Sequence, residues 1–273
     1  MPFTPAHIVA AVPLASALGR HGVVSALAIG SMAPDLAYFL PFDVARLESH
    51  SLPALVWFCL PVGLATWAFF HVFAAPLLHD VTPRVVRERL PGAWARGEWP
   101  RVPIASVALC IVLGAMTHLV WDSFTHYGTP LTRAVPMLAM PMGEIGGVTI
   151  RPVRIAQHIS TAFGLALLGV WGWRWLGRPP VEAASHPPPS HLVRLALVAL
   201  VTVPALWLGL ADAMPHVAST SDPARQLVRL VQGLVFVGGS AFVASLTFVA
   251  ASWRLLRGTP LIPTSRDDRI PSS

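Results

Sequence analysis

The chain has 273 residues, of which 19 are basic and 13 acidic, so 12% are charged against roughly 25% in an average soluble domain. With 54% hydrophobic residues and a mean hydropathy of +0.62, the sequence excludes a soluble globular enzyme and leaves too much apolar surface for a disordered chain. An all-α, polytopic membrane bundle remains.

The first forty residues predict a helical hairpin. Residues 8–30 are apolar but interrupted by Gly19-Arg20-His21-Gly22, and an arginine at the centre of a span costs about 2.5–3.5 kcal/mol. A turn at 19–22 avoids that cost. Thr4-Pro5 reads as an N-cap followed by a first-turn proline. Each arm then has roughly 14 residues and reaches about 21 Å, too short to cross, so the hairpin is expected to be tucked in and covered by protein. The alternative is one straight span and six spans in all.

Five further segments approach the roughly 20 apolar residues that a span needs: about 52–78, 102–121, 155–176, 192–211 and 227–251. Between the first two, 83–99 mixes arginines with Val85, Val86, Leu90, Trp94 and Trp99, the pattern of an interfacial helix. The chain divides into a polar-studded part, 1–176, a Pro-rich linker, 177–191, a plain two-span hairpin, 192–256, and a tail, 257–273, expected to be disordered.

Every basic residue is arginine. The arginines lie between spans, not on one aromatic-studded face, so nucleic acid is excluded as a partner and the lipid bilayer is expected. The stretches 79–101 and 174–194 and the residues from 254 onward hold twice as many arginines as the loops around 31–51, 122–154 and 212–229. The positive-inside rule then makes the first set and the C-terminus cytoplasmic. The expected location, which the family resemblance described below implies, is the bacterial cytoplasmic (inner) membrane. Cys59 and Cys110 fall in apolar runs outside any CxxC and read as small core residues.

Eleven histidines are many for so apolar a chain, and ionisable groups at membrane depth default to function. His118, Asp122 and His126 are spaced i, i+4 and i+8, one stripe on a helix, and this spacing lets two side chains ligate one metal from one face. A polar helix end is the competing reading. Asp35 follows Pro34 beyond the second hairpin arm. His21 is midway between His7 and Asp35, so a turn there brings those two to one side of the membrane, the side of His118 and Asp122. His50 precedes the 52–78 span and His158 begins the 155–176 span on that same side. All seven are expected to converge. A His and Asp set without Cys suits Zn²⁺ or Mn²⁺.

Met-Pro-Phe-Thr-Pro-Ala-His7, Gly30-Ser-Met-Ala-Pro-Asp35, His50-Ser51, Thr117-His118-Leu-Val-Trp-Asp122-Ser-Phe-Thr-His126 and Gln157-His158 occur in that order. Together they resemble a bacterial membrane family called domain of unknown function 4184, over at least 1–176. The His7, Pro34-Asp35, His50-Ser51 and His118…Asp122 blocks are also similar, over fewer residues, to inner-membrane proteins described as membrane-bound metal-dependent hydrolases. That likeness implies His7, Asp35, His50, His118 and Asp122 as the matching polar positions. The pattern departs at Ser49, where threonine is usual.

The expected activity is hydrolysis of a phosphoester or lipid-like substrate, reached from the outer side. A divalent metal would be held by Asp35, His118 and Asp122 with His7 or His50, and His126 or His158 would move protons. The alternative is a non-catalytic metal- or ion-binding membrane protein or small transporter.

Overall fold

The computed structural model describes residues 4–40, 44–145, 148–181 and 188–257. The 3₁₀ turn Thr4–His7 leads into α1 (Ile8–Ala17). A second 3₁₀ turn, Gly19–His21, reverses the chain into α2 (Val24–Met32), and a third, Ala33–Tyr38, carries Asp35. Gly19 has φ +54°, a left-handed conformation that side chains oppose, which is why the reversal falls there. The predicted hairpin is therefore present, and the single straight span is not.

The first full span, α3, is Leu55–Val81. It contains two π-helical turns, Leu55–Cys59 and Phe70–Ala74. Each is followed within two residues by a proline, Pro61 or Pro76. Proline has no N–H to give and its ring crowds the carbonyl four residues back; a wide turn takes up both problems without ending the helix. Residues 83–99 are not one interfacial helix. They form two short turns, Arg84–Arg87 and Gly92–Arg96, because Pro91 interrupts the run.

The remaining spans are α4 (Ile104–Thr125), α5 (Pro152–Leu176), α6 (His191–Ala218) and α7 (Pro223–Leu256). All five long helices are long and apolar enough to cross a membrane. Most outrun the apolar stretches that predict them, because capping extends them into polar sequence. Ser190 accepts from the Val193 N–H at 3.3 Å, and Asp222 accepts from the Ala224 N–H at 2.9 Å. Between α4 and α5 lie the turn Pro130–Ala134 and a small antiparallel ribbon, β1 (Gly143–Ile145) and β2 (Val148–Ile150), with Glu144 opposite Thr149. The linker residues 182–187 and the tail from 258 onward lie outside the described residues.

The hairpin is seated on α4 and α3. Ala11, Leu27, Ile29, Trp67, Val107, Cys110 and Ile111 form one buried cluster, with both cysteines buried and free. Small residues set how close α2 comes to α4. A Cβ on Gly114 would stand 2.3 Å from the Leu27 carbonyl oxygen and 2.7 Å from the Ser31 nitrogen. Within this layer Ser25 of α2 gathers two polar groups of α3: Trp67 Nε1 donates to its hydroxyl at 3.0 Å, and His71 Nε2 lies 3.0 Å from the same oxygen.

The α6–α7 pair packs on α3 through Leu77, Leu197, Val201, Val249 and Ala250. At the helix ends remote from Asp35, Trp253 Nε1 donates to Asp80 Oδ2 at 2.9 Å, and Arg257 Nη1 lies 3.2 Å from the same oxygen. Arg254 and Arg257 also donate to the carbonyls of Arg96 and Ala95, at 2.6 and 2.9 Å. Asp80 is 1% exposed. Its replacement by alanine strands buried cationic and indole donors, and breaking a buried pair costs about 3–5 kcal/mol. Asp80→Ala is therefore expected to lower the melting temperature in detergent and to expose the α6–α7 pair to protease. The outward faces of α5, α6 and α7 carry exposed apolar side chains such as Phe163, Trp207 and Phe248, as lipid-facing helices do.

Candidate metal centre

The hairpin delivers His7 and Asp35 to the same end of the bundle. Thr4 Oγ1 donates to Asp35 Oδ2 at 2.6 Å, closing the two 3₁₀ turns on each other. His50 ends the turn Arg46–Ser49, with Nδ1 3.1 Å from the Arg46 carbonyl and 2.9 Å from Ser49 Oγ. His118 projects from α4 with Nδ1 2.8 Å from the Ser31 carbonyl. A carbonyl only accepts, so Nδ1 of His118 carries the proton and Nε2 presents a lone pair. The same holds for His50 toward the Arg46 carbonyl. An orienting bond on one ring nitrogen, with the other left free, is how proteins prepare histidine for metal.

Those free nitrogens face two carboxylates. His50 Nε2 is 3.2 Å from Asp35 Oδ1 and 3.6 Å from Asp122 Oδ2. His118 Nε2 is 3.5 Å from Asp122 Oδ2 and 3.8 Å from Asp35 Oδ1. His7 Nε2 is 3.6 Å from Asp122 Oδ1, and its ring is stacked on His118 with centroids 3.9 Å apart. The His7 side chain is buried, and burial disfavours the charged imidazolium.

His7 Nδ1 and Nε2, Asp35 Oδ1, His50 Nε2, His118 Nε2 and Asp122 Oδ1 are all buried and make no hydrogen bond. A cluster of buried polar atoms left unpaired is costly. Their spacing explains it. Ligands about 2.0–2.2 Å from a tetrahedral ion stand about 3.4 Å from one another, and the separations above run from 3.2 to 3.8 Å. Two sets, His7/His118/Asp122 and Asp35/His50/His118, each bring three ligand atoms within 4.8 Å of one another, with His118 common to both. The residues fit one divalent ion or an adjacent pair.

His126 joins at the rim: Nδ1 is 3.2 Å from Asp122 Oδ1, and the side chain is 11% exposed. His158 does not join. It lies exposed on α5 and shares none of the ring or ion-pair contacts of the other six. Val153 and Gly164 mark the buried face of α5. At 3.6 residues per turn, His158 falls about 140° around the helix from Val153. The sequence places His158 at the correct end of its helix but on the wrong face.

Arg46 is a site residue that sequence reasoning assigned only to topology. Its Nη2 donates to Asp122 Oδ2 at 3.0 Å. The signal available was its i, i+4 spacing to His50 across a short helical turn. The hydroxyl of Thr4, read as a cap, serves Asp35, and nothing in the sequence announces that. Beside His50 and Asp122 a cavity of about 500 Å³ opens to the surface, walled in part by the loop after α4.

No curated protein and no solved structure matches the chain. A family does: Domain of unknown function (DUF4184) matches residues 1–251. That range takes in the hairpin, the His and Asp cluster and almost all of the α6–α7 pair, so the chain belongs to the family Domain of unknown function (DUF4184).

Proposed function

We propose that this protein is a membrane-embedded, metal-dependent hydrolase with Asp35, His50, His118 and Asp122 as ligands and His7 completing the set. The reading rests on one observation: five side chains from four elements bury unpaired ligand atoms in two triads that share His118, each within 4.8 Å. Membership of the family carries no activity with it, so function is argued from the site.

Zn²⁺ or Mn²⁺ bound there supplies Lewis acidity and a water that ionises near neutral pH. The remaining roles belong to the chain. His126, whose Nδ1 lies 3.2 Å from Asp122 Oδ1, has an unpartnered Nε2 that can take and return a proton beside the cluster. Arg46 pins the second oxygen of Asp122. The buried apolar layer beneath keeps bulk water out. The arginines clustered beyond the opposite helix ends put that end and the C-terminus in the cytoplasm, so a phosphoester or lipid-like substrate enters from the outer side of a bacterial inner membrane.

Ion transport is the competing reading, and it needs a polar path through the bundle. The buried side chains of Leu27, Ile111 and Ala115 lie between the cluster and the Ser25–His71 pair, which favours a closed catalytic chamber.

Elemental analysis of the purified protein tests the proposal. The protein is expected to hold one or two equivalents of divalent metal per chain, and His118→Ala to lose it. His126→Ala is expected to keep the metal while slowing hydrolysis by about 10²–10⁴-fold. A wild-type protein that purifies without metal and takes up none on titration would sink the proposal.

A further inference from the structure

The cavity beside the cluster is built for an anion. Besides His50 and Asp122 its lining includes Arg46, Arg133, Tyr127 and Thr129. Arg46 uses Nη2 on Asp122, yet its Nε is buried and has no acceptor. Arg133 pairs with no carboxylate among the described residues. A buried guanidinium N–H seeks an acceptor, and the exposed Arg133 guanidinium on the same lining adds a second planar donor fork, a pair that matches a group with several anionic oxygens.

The mouth has a different character. Leu47, Leu52 and Val120, which also line the cavity, are 80%, 67% and 53% exposed. They sit at the level where α3 begins and α4 ends, two helices long and apolar enough to cross a membrane. A cavity of this volume is in the range of small-molecule sites, large enough for a headgroup whose chains stay outside against those side chains.

We infer that Arg46 and Arg133 form a phosphoryl subsite, and that the ligand is the phosphate headgroup of an amphiphile. The inference rests on the proposed hydrolase centre for its place in a reaction, but the subsite itself needs no metal. It selects a charged phosphoester over a neutral carboxylic ester, a choice the ligand set leaves open.

Native mass spectrometry of the full chain as purified, in detergent, tests this. The protein is titrated separately with dioleoyl phosphatidic acid, dioleoylglycerol and inorganic phosphate, and its metal content is measured on the same sample. Phosphatidic acid is expected to bind at least about tenfold more tightly than dioleoylglycerol, the effect of one charge-assisted hydrogen bond. Arg133→Gln is expected to remove that preference, Arg133→Lys to restore part of it, and neither to change metal content. Inorganic phosphate binding as tightly as phosphatidic acid would overturn the lipid source. Unchanged phosphatidic acid affinity in Arg133→Gln would overturn the subsite. A metal-free sample that still prefers phosphatidic acid would uphold the subsite and count against the hydrolase centre alone.

Discussion

Asp122→Asn is expected to reduce metal affinity by at least about 100-fold while leaving the protein folded. Asp122 is the hub of the cluster: His7, His50, His118 and His126 all lie within 3.6 Å of one of its oxygens, and Arg46 donates to it. Losing a partner that merely orients a ligand costs 10–100-fold in affinity, and in the proposed centre Asp122 supplies both a ligand atom and the counter-charge. Asparagine keeps the shape and one acceptor for Arg46. Asp122→Ala keeps neither and strands the Arg46 guanidinium, so it is expected to destabilise the fold as well, in the range of about 3–5 kcal/mol seen for broken buried pairs. Isothermal titration with Zn²⁺ or Mn²⁺ and a thermal melt separate the two variants. Equal metal binding by Asp122→Asn and the wild type would remove Asp122 from the ligand set.

Gly114→Val is expected to disable the site without touching any ligand. The space a Cβ would take is held by the backbone of Leu27 and Ser31, and backbone cannot rotate aside as a side chain can. α2 must therefore move off α4. Overpacking of this kind costs about 1–3 kcal/mol. The same displacement pulls the Ser31 carbonyl from His118 Nδ1, now 2.8 Å away, and frees the ring to turn. A 10–100-fold loss of metal affinity follows, readable by the same titration, with a lower melting temperature. Retained affinity would show that the Ser31 bond is dispensable.

The parts of this architecture that the sequence reveals are those written in spacing. The equal intervals His7–His21–Asp35 and the glycines flanking Arg20 define the hairpin, and the i, i+4, i+8 stripe of His118, Asp122 and His126 defines the α4 contribution. The parts that stay hidden depend on rotation and on partners distant in the chain. His158 fails because span assignment gives the depth of a residue and not its azimuth, and α5, with few buried positions, leaves a weak pattern from which to read one. Arg46 fails because an arginine in a loop between spans reads as a topology signal until Asp122, 76 positions later, is seen opposite it. The π-helical turns of α3 are likewise silent, since prolines in a span are compatible with a kink, a break or a widened turn.

The half-length hairpin has a consequence for biogenesis. Neither α1 nor α2 is long enough to span the bilayer, and the wall they rest on, Val107 to Ala115 of α4, is synthesised some eighty residues after them. When the hairpin leaves the ribosome it has no surface to pack against and no lipid path that satisfies its turn. It must wait until α3 and α4 are in place, and then slot between them. The cluster therefore forms late in assembly: a nascent chain arrested before α4 holds His7, Asp35 and His50 but lacks His118 and Asp122 to gather them.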